Sequence, residues 1–164
     1  MIGTQVTDAA SHARAVEVDA FAVWSVKSSF RRYVASLADG VCAVSDDVRV
    51  LDPHGFLLRG RFHGTRAAFT WTAPSSVRFE GHGGLLAVEL RALRLEVGPD
   101  SGALSVAAAD GGPGRIPFAH AAIGARSGAT FRIDLALTAG GAGLFADNYP
   151  VGAPLDPMHL MVEP

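Results

Sequence analysis

Residues 75–97 read SSVRFEGHGGLLAVELRALRLEV, with strand-like alternation on both sides of a glycine-rich loop. Before the loop, Val77 and Phe79 alternate with charged residues, as in a strand with one buried face. After it, apolar residues alternate in two runs of opposite parity: Leu86, Val88 and Leu90, then Leu93, Leu95 and Val97. This change of parity predicts a β-bulge or bend near residues 91–92.

Short apolar runs separated by turn residues extend from this stretch over most of the chain. They predict a hairpin at 40–50 and strands at 56–62, 67–72, 103–108, 131–137 and 158–162. The 19 glycines and nine prolines favour many short strands over long helices. We therefore expect a mainly β domain of about eight to ten strands, an antiparallel sandwich or partly closed barrel, with one amphipathic helix and a second short helix.

The one convincing helix lies at 24–37, WSVKSSFRRYVASL. Its apolar residues recur at the period of a single helix face: Val26, Phe30, Tyr33, Val34 and Leu37. This spacing directs Tyr33 to the interior, where its hydroxyl needs a hydrogen-bond partner. Ser25 is the predicted N-cap, and Gly40 is predicted to take the left-handed conformation after the helix end.

The composition limits the domain organisation and the class of function. With 164 residues, 49% hydrophobic and 18% charged, the chain can fold as one domain, predicted at 21–164 after a polar lead-in at 1–20. A net charge of -2 gives no electrostatic basis for binding nucleic acid. The single cysteine excludes an internal disulfide, and no apolar run is long enough to span a membrane as a helix.

The first 20 residues contain no cationic region followed by an apolar one, which a secretory signal requires. The sequence therefore predicts a cytoplasmic protein. A secreted or cell-surface domain is the alternative if the sequence belongs to a longer protein.

The loop at 81–84 presents His82 among three glycines. It is either a tight turn with an exposed histidine, or a histidine presented to a ligand where no side-chain bulk intervenes. A hydrolase oxyanion hole would require a G-x-S-x-G motif, and a phosphate loop a following Lys-Ser/Thr; the sequence has neither. No histidines show metal-ligand spacing, but a site formed in space by His54, His63 and His82 stays open.

The second tyrosine lies in the stretch 143–157, GLFADNYPVGAPLDP. Phe145 and Tyr149 are four residues apart, so they share a face of the second short helix, predicted at 144–149. The pair is either an aromatic plug over one end of the domain or a wall for a flat apolar ligand.

Three stretches, taken together and in order, resemble the signature segments of the haem-binding HtaA domain family of actinobacterial haem-uptake proteins. They are W-x-V-x-x-S-F-R-x-Y-V at 24–34, S-V-R-F-x-G-H-G-G-L-L at 76–86 and F-x-x-x-Y-x-x-G-x-x-L-D-P at 145–157. The similarity covers about residues 20 to 160. One departure is Trp71, which stands where a tyrosine is more often expected.

The resemblance implies a β-rich fold with short helices that binds one ferric haem b. It implies that Tyr33 is the axial ligand of the haem iron and that His82 supports this tyrosine. Tyr149 falls on the third aromatic position, in the segment with Phe145 that lines the haem. Ser29, one turn before Tyr33, falls where a serine can meet a haem propionate.

The expected role is not enzymatic: uptake, storage or transfer of haem, with a haem donor or acceptor protein or a second copy of the chain as expected partners. A haem-dependent enzyme of the peroxidase or catalase type is one alternative, and it requires a distal acid–base residue. A β-barrel binder of another small apolar ligand is the other.

Overall fold

The computed structural model describes residues 14–164, so the first 13 residues of the predicted lead-in lie outside it. The strands are β1 (Val16–Trp24), β2 (Val41–Val44), β3 (Arg49–Val50), β4 (Phe56–Gly64), β5 (Phe69–Gly81), β6 (Leu86–Val97), β7 (Gly102–Ala107), β8 (Arg115–Ser127), β9 (Thr130–Leu137) and β10 (Met158–Val162). The helices are α1 (Ser28–Ser36) and α2 (Ala139–Leu144), and a 3₁₀ turn spans His82–Gly84.

Eight antiparallel strands close into a barrel. Their order is β5-β6-β7-β8-β9-β10-β1-β4, and the pairing of β4 with β5 closes it. The short strands β2 and β3 extend the sheet beside β5 and β4. The predicted mainly β, antiparallel fold with two helices is thus confirmed, and of the two architectures expected the barrel is the one found.

Inward-facing side chains of alternate strand positions fill the barrel, because successive residues of a strand point to opposite faces. The largest side chains with almost no solvent exposure include Trp24, Trp71, Phe56, Phe79 and Phe118. Trp71 donates its indole N–H to the carbonyl oxygen of Ala20 at 3.2 Å, so its buried polar atom is paired. Within residues 14–164, no helix is long and apolar enough to cross a membrane.

The bulge predicted near residues 91–92 is confirmed. The register of β5 and β6 shifts between Ala73 and Ser76, opposite Ala92, which has a positive φ of 49°. Pro74 and Ser75 of β5 lie opposite the single residue Ala92 of β6, and the buried positions of β6 change parity there, as the sequence indicated.

Several elements differ from prediction. The hairpin predicted at 40–50 is not formed, because β2 pairs with β5 and β3 pairs with β4. β1 begins at Val16 inside the predicted lead-in and ends at Trp24, which had been assigned to the helix. β8 had no predicted counterpart, because its small side chains give little alternation. The second helix lies at Ala139–Leu144 rather than 144–149, since the hydroxyl of Thr138 accepts the amide of Gly141 at 3.0 Å and caps an earlier start.

Helix α1 is capped from the far end of the chain rather than by Ser25, whose hydroxyl donates to the carbonyl oxygen of His54 at 2.9 Å. The carboxylate of Asp156 accepts the backbone amide of Ser28 at 3.0 Å and also the hydroxyl of Ser28. Carboxylates are stabilising at helix N-termini, because free N–H groups and the helix dipole concentrate positive charge there.

The end of α1 requires glycine for a steric reason. Gly40 does not have the left-handed conformation predicted for it. A Cβ placed on Gly40 would lie 1.8 Å from the carbonyl oxygen of Val34, so the chain passes too close to the helix for any side chain.

Replacing Asp156 by alanine should lower the free energy of unfolding by about 1–2 kcal/mol, because the helix loses its carboxylate cap. Urea denaturation of Asp156→Ala measures this change. Asp134→Ala is the matched control: that carboxylate pairs with Arg132 on the surface, so its loss should cost less than about 1 kcal/mol. Equal losses in the two variants would contradict the capping role.

Candidate functional site

One rim of the barrel collects the segments that follow β1, β5 and β9. Neighbouring strands are antiparallel, and β4 separates β1 from β5 while β10 separates β1 from β9. These three strands therefore run in the same direction and end at the same rim. Helix α1, the 3₁₀ turn and helix α2 follow them directly, so distant parts of the sequence meet there.

The spacing of apolar residues predicts that Tyr33 faces the interior. In the structure it lies instead at the edge of α1, and the prediction is wrong. It is 46% exposed. The helix buries only Phe30 and Val34 against the barrel. Phe30 packs edge-on against Phe79 and Phe145, with ring centroids 5.1 and 4.9 Å apart respectively. These ring contacts fix the orientation of the helix on the barrel. Tyr33 therefore lies at the side of the helix and not on its buried face.

Tyr33 faces a groove of about 490 Å³. The groove is lined by Phe30, Tyr33, His82, Leu85, Leu86, Ala146, Asn148 and Tyr149. Its size lies within the range of small-molecule sites, roughly 300–1,000 Å³. Leu85 at its edge is 89% exposed, which is unusual for a large apolar side chain.

Tyr33 and His82 meet in this groove. The hydroxyl of Tyr33 is in hydrogen-bond contact with Nε2 of His82. Their ring centroids are 5.9 Å apart and the rings are inclined by 44°. The phenol can donate a hydrogen bond to a neutral Nε2, and a phenolate can accept a hydrogen bond from Nε2–H, so the contact is compatible with either state of the tyrosine.

The turn that carries His82 follows a left-handed path. His82, Gly83 and Gly84 have φ values of 51°, 63° and 91°. A Cβ on Gly83 or Gly84 would meet nothing within 4 Å, so it is the backbone conformation that favours glycine there. The space beside the turn stays open towards solvent.

Asp39 holds this turn. Its Oδ1 accepts the amide of His82 at 3.1 Å, and its Oδ2 accepts the amide of Gly83 at 2.7 Å. The bond from Gly83, and then the bond from His82, lower the pKa of Asp39 below its usual value. Sequence reasoning did not identify Asp39, because no local pattern links it to a turn 43 residues away.

Tyr149, from the segment after α2, also lines the groove. Partial burial raises the pKa of its hydroxyl, and the nearby Ser29 side chain acts in the opposite direction. Phe145 lies beneath the groove, 1% exposed, with its ring centroid 5.4 Å from that of Tyr149. The ammonium of Lys27 lies 5.1 Å from the Tyr149 ring centroid, a cation–π contact.

Of the five predicted site residues, three line the groove and two lie next to it. Tyr33, His82 and Tyr149 line the groove. Ser29 is exposed on α1 and does not line the groove, whereas Phe145 lies buried against Phe30, which lines it.

The three histidines that the sequence left open as a metal site are separated. His54 and His63 line two other depressions of the surface, away from the groove of His82. Among residues 14–164, no group of three or more His, Cys, Asp or Glu side chains is arranged to hold a metal ion.

The family model HtaA, described as Htaa, matches residues 19–161. The chain belongs to the HtaA family. This HtaA domain is 26% identical to the C-terminal domain of HtaA from Corynebacterium glutamicum, with a TM-score of 0.71 over 91% of this chain and 98% of that chain. Among proteins with curated functions, none matches it.

Two further structures share the fold of this HtaA domain. The N-terminal domain of HtaA from Corynebacterium glutamicum has a TM-score of 0.73 at 20% identity, over 90% of this chain and 97% of that chain. The haem-binding protein HtaB of the same organism has a TM-score of 0.66 at 18% identity, over 92% of this chain and 96% of that chain.

Proposed function

We propose that this HtaA domain binds ferric haem b in the groove, with the phenolate of Tyr33 as the axial ligand and His82 as its hydrogen-bond partner. The observation that carries the proposal is the contact between the Tyr33 hydroxyl and Nε2 of His82 at the edge of an open groove. The haem-binding protein HtaB has the same fold, and this similarity supports the proposal further.

The residues of the groove suit a flat, largely apolar ring. The half-buried ring of Tyr149 offers aromatic surface, and the exposed side chain of Leu85 can cover one face of a macrocycle. Gly83 and Gly84 leave the space beside His82 free of side chains. A bound porphyrin would cover apolar surface that is otherwise exposed to water.

The donor atoms suit ferric iron. A phenolate is an anionic oxygen ligand, the type that holds haem in catalase. A free phenol has a pKa of about 10, so its ionisation at pH 7 costs about 4 kcal/mol. The charge of the iron supplies most of this, and a hydrogen bond from Nε2–H of His82 would stabilise and orient the phenolate.

Storage or transfer of haem fits the site better than catalysis. A haem enzyme requires a distal acid–base residue, and the Nε2 of His82, the histidine of the groove, is already engaged with the Tyr33 hydroxyl. The groove lies at the surface and Tyr33 is 46% exposed, so a haem donor or acceptor protein can reach it. The cytoplasmic location and the homodimer stay predictions.

Tyr33→Phe should weaken ferric haem binding at least about 100-fold, because it removes the oxygen ligand and leaves the ring. Titration of the haem-free domain with haemin, followed by absorbance, measures the affinity and the tyrosinate band. Tyr149→Phe is the matched control: it removes the hydroxyl of the only other tyrosine, and the variant should keep the tyrosinate band. Unchanged affinity in Tyr33→Phe would refute the ligand assignment.

His82→Ala should weaken haem binding by about 10–100-fold, less than Tyr33→Phe, because it removes a hydrogen bond and not the ligand. Alanine is strained at the φ of 51° found there, so His82→Gly, which adopts this conformation freely, separates the side chain from the backbone. Haemin titration of both variants should give similar affinities and a retained tyrosinate band. A loss larger than that of Tyr33→Phe would make His82 the ligand.

Haem should be released faster as the pH falls, because protons compete with iron for the phenolate oxygen. The affinity should therefore be highest at neutral and higher pH and decline towards pH 5. Transfer of haem to an excess of an acceptor globin, timed between pH 5 and pH 8, measures the rate. A release rate independent of pH would argue against a phenolate ligand.

A further inference from the structure

The carboxylate of Asp39 bonds to two consecutive amides at the start of the 3₁₀ turn. The N–H groups of His82 and Gly83 donate to its Oδ1 and Oδ2 at 3.1 and 2.7 Å. The first amides of a helical turn have no partner within the turn, so they need an acceptor from elsewhere. An ionised carboxylate that accepts two such bonds is among the stronger acceptors a protein can offer.

Little else fixes the conformation of this turn. His82 is held at a positive φ that a side chain disfavours, and the two glycines that follow have no Cβ to restrict their backbone conformation. No atom lies within 4 Å of a Cβ built on Gly83 or Gly84, so packing does not restrain them. Inside the turn, the amide of Leu85 donates to the carbonyl oxygen of His82 at 3.2 Å.

Asp39 also belongs to the segment that carries Tyr33. It lies between Leu37 and Gly40, whose amides close the end of α1 by donating to the carbonyl oxygens of Val34 at 3.1 Å and of Leu37 at 3.2 Å. The segment packs against Gly81, where a Cβ would come within 2.6 Å of a methyl carbon of Leu37. The helix of Tyr33 and the turn of His82 are therefore joined at this point.

We propose that Asp39 is a positioning residue of the haem site: its carboxylate fixes the backbone of His82, so that Nε2 stays on the hydroxyl of Tyr33. This inference rests on the proposed function, which makes His82 the partner of the ligand. Asp39 does not itself line the groove, and its carboxylate bonds to the backbone of the His82 turn rather than to Tyr33, so it acts through His82.

Asp39→Ala removes both acceptors and should weaken haem binding about 10-fold, within the range for residues that orient a metal ligand. Asp39→Asn keeps one amide oxygen as an acceptor and should lose less. The matched control is Asp46→Ala, in the exposed turn between β2 and β3, which should bind haem normally. Thermal unfolding of each variant shows whether it is folded.

A double-mutant cycle tests the route through His82. In the His82→Gly background, Asp39→Ala should cause no further loss of affinity, because the side chain that it positions is gone. In the haem-free protein, amide hydrogen exchange at residues 82 and 83 should be at least about 10-fold faster in Asp39→Ala than in Asp46→Ala.

The inference is overturned if Asp39→Ala binds haem within about twofold of the unsubstituted domain, or if its loss is as large in the His82→Gly background. Failure of the proposed function gives a different result. In that case the unsubstituted domain binds no haem, or Tyr33→Phe binds it equally well, and the role of Asp39 in haem binding falls too. Faster amide exchange in Asp39→Ala would then show only that Asp39 fixes the turn.

Discussion

The pairing of β4 with β5 is the contact on which the site depends. It closes the barrel from Arg61 opposite Thr72 to Gly64 opposite Phe69, while the other edge of β4 pairs with β1 along the full length of both strands. With one antiparallel strand between them, β1 and β5 must end at the same rim. Tyr33 and His82, 49 residues apart, are thus brought together by the backbone pairing of the strands that precede them.

Side-chain alternation predicted most of this fold because one face of each long strand is buried. The bulge at Ala92 could be located from a change of parity alone. The prediction was weaker where small residues dominate. In β8 the buried side chains include Ala119 and Ala121, and in β1 they include Ala20 and Ala22, so the apolar pattern is faint. Alanine has little preference for strands, and only pairing with neighbours decides its conformation.

The candidate site residues were predicted from three sequence segments, but the arrangement of these residues in space was not. Helical periodicity placed Tyr33 with the buried face, because a repeat of apolar residues cannot separate a face against the barrel from an edge that lines a groove. Asp39 accepts the backbone amide of His82, 43 residues away, and Asp156 accepts the backbone amide of Ser28, 128 residues away. Local sequence rules describe caps within one turn of a helix, so neither aspartate could be found in that way.

Each of these two aspartates bonds to a residue with an unfavourable backbone conformation. Val26 before α1 and His82 before β6 both have positive φ values, 64° and 51°, which are unfavourable for residues with a side chain, and most of all for a β-branched one. At Val26, the backbone amide of Asp156 donates to the carbonyl oxygen at 2.9 Å; at His82, the Asp39 carboxylate accepts the amide. Such strain persists only where surrounding contacts determine the conformation. The backbone on both sides of the groove is therefore held by contacts within the protein itself, and a ligand entering the groove need not supply the free energy to order it.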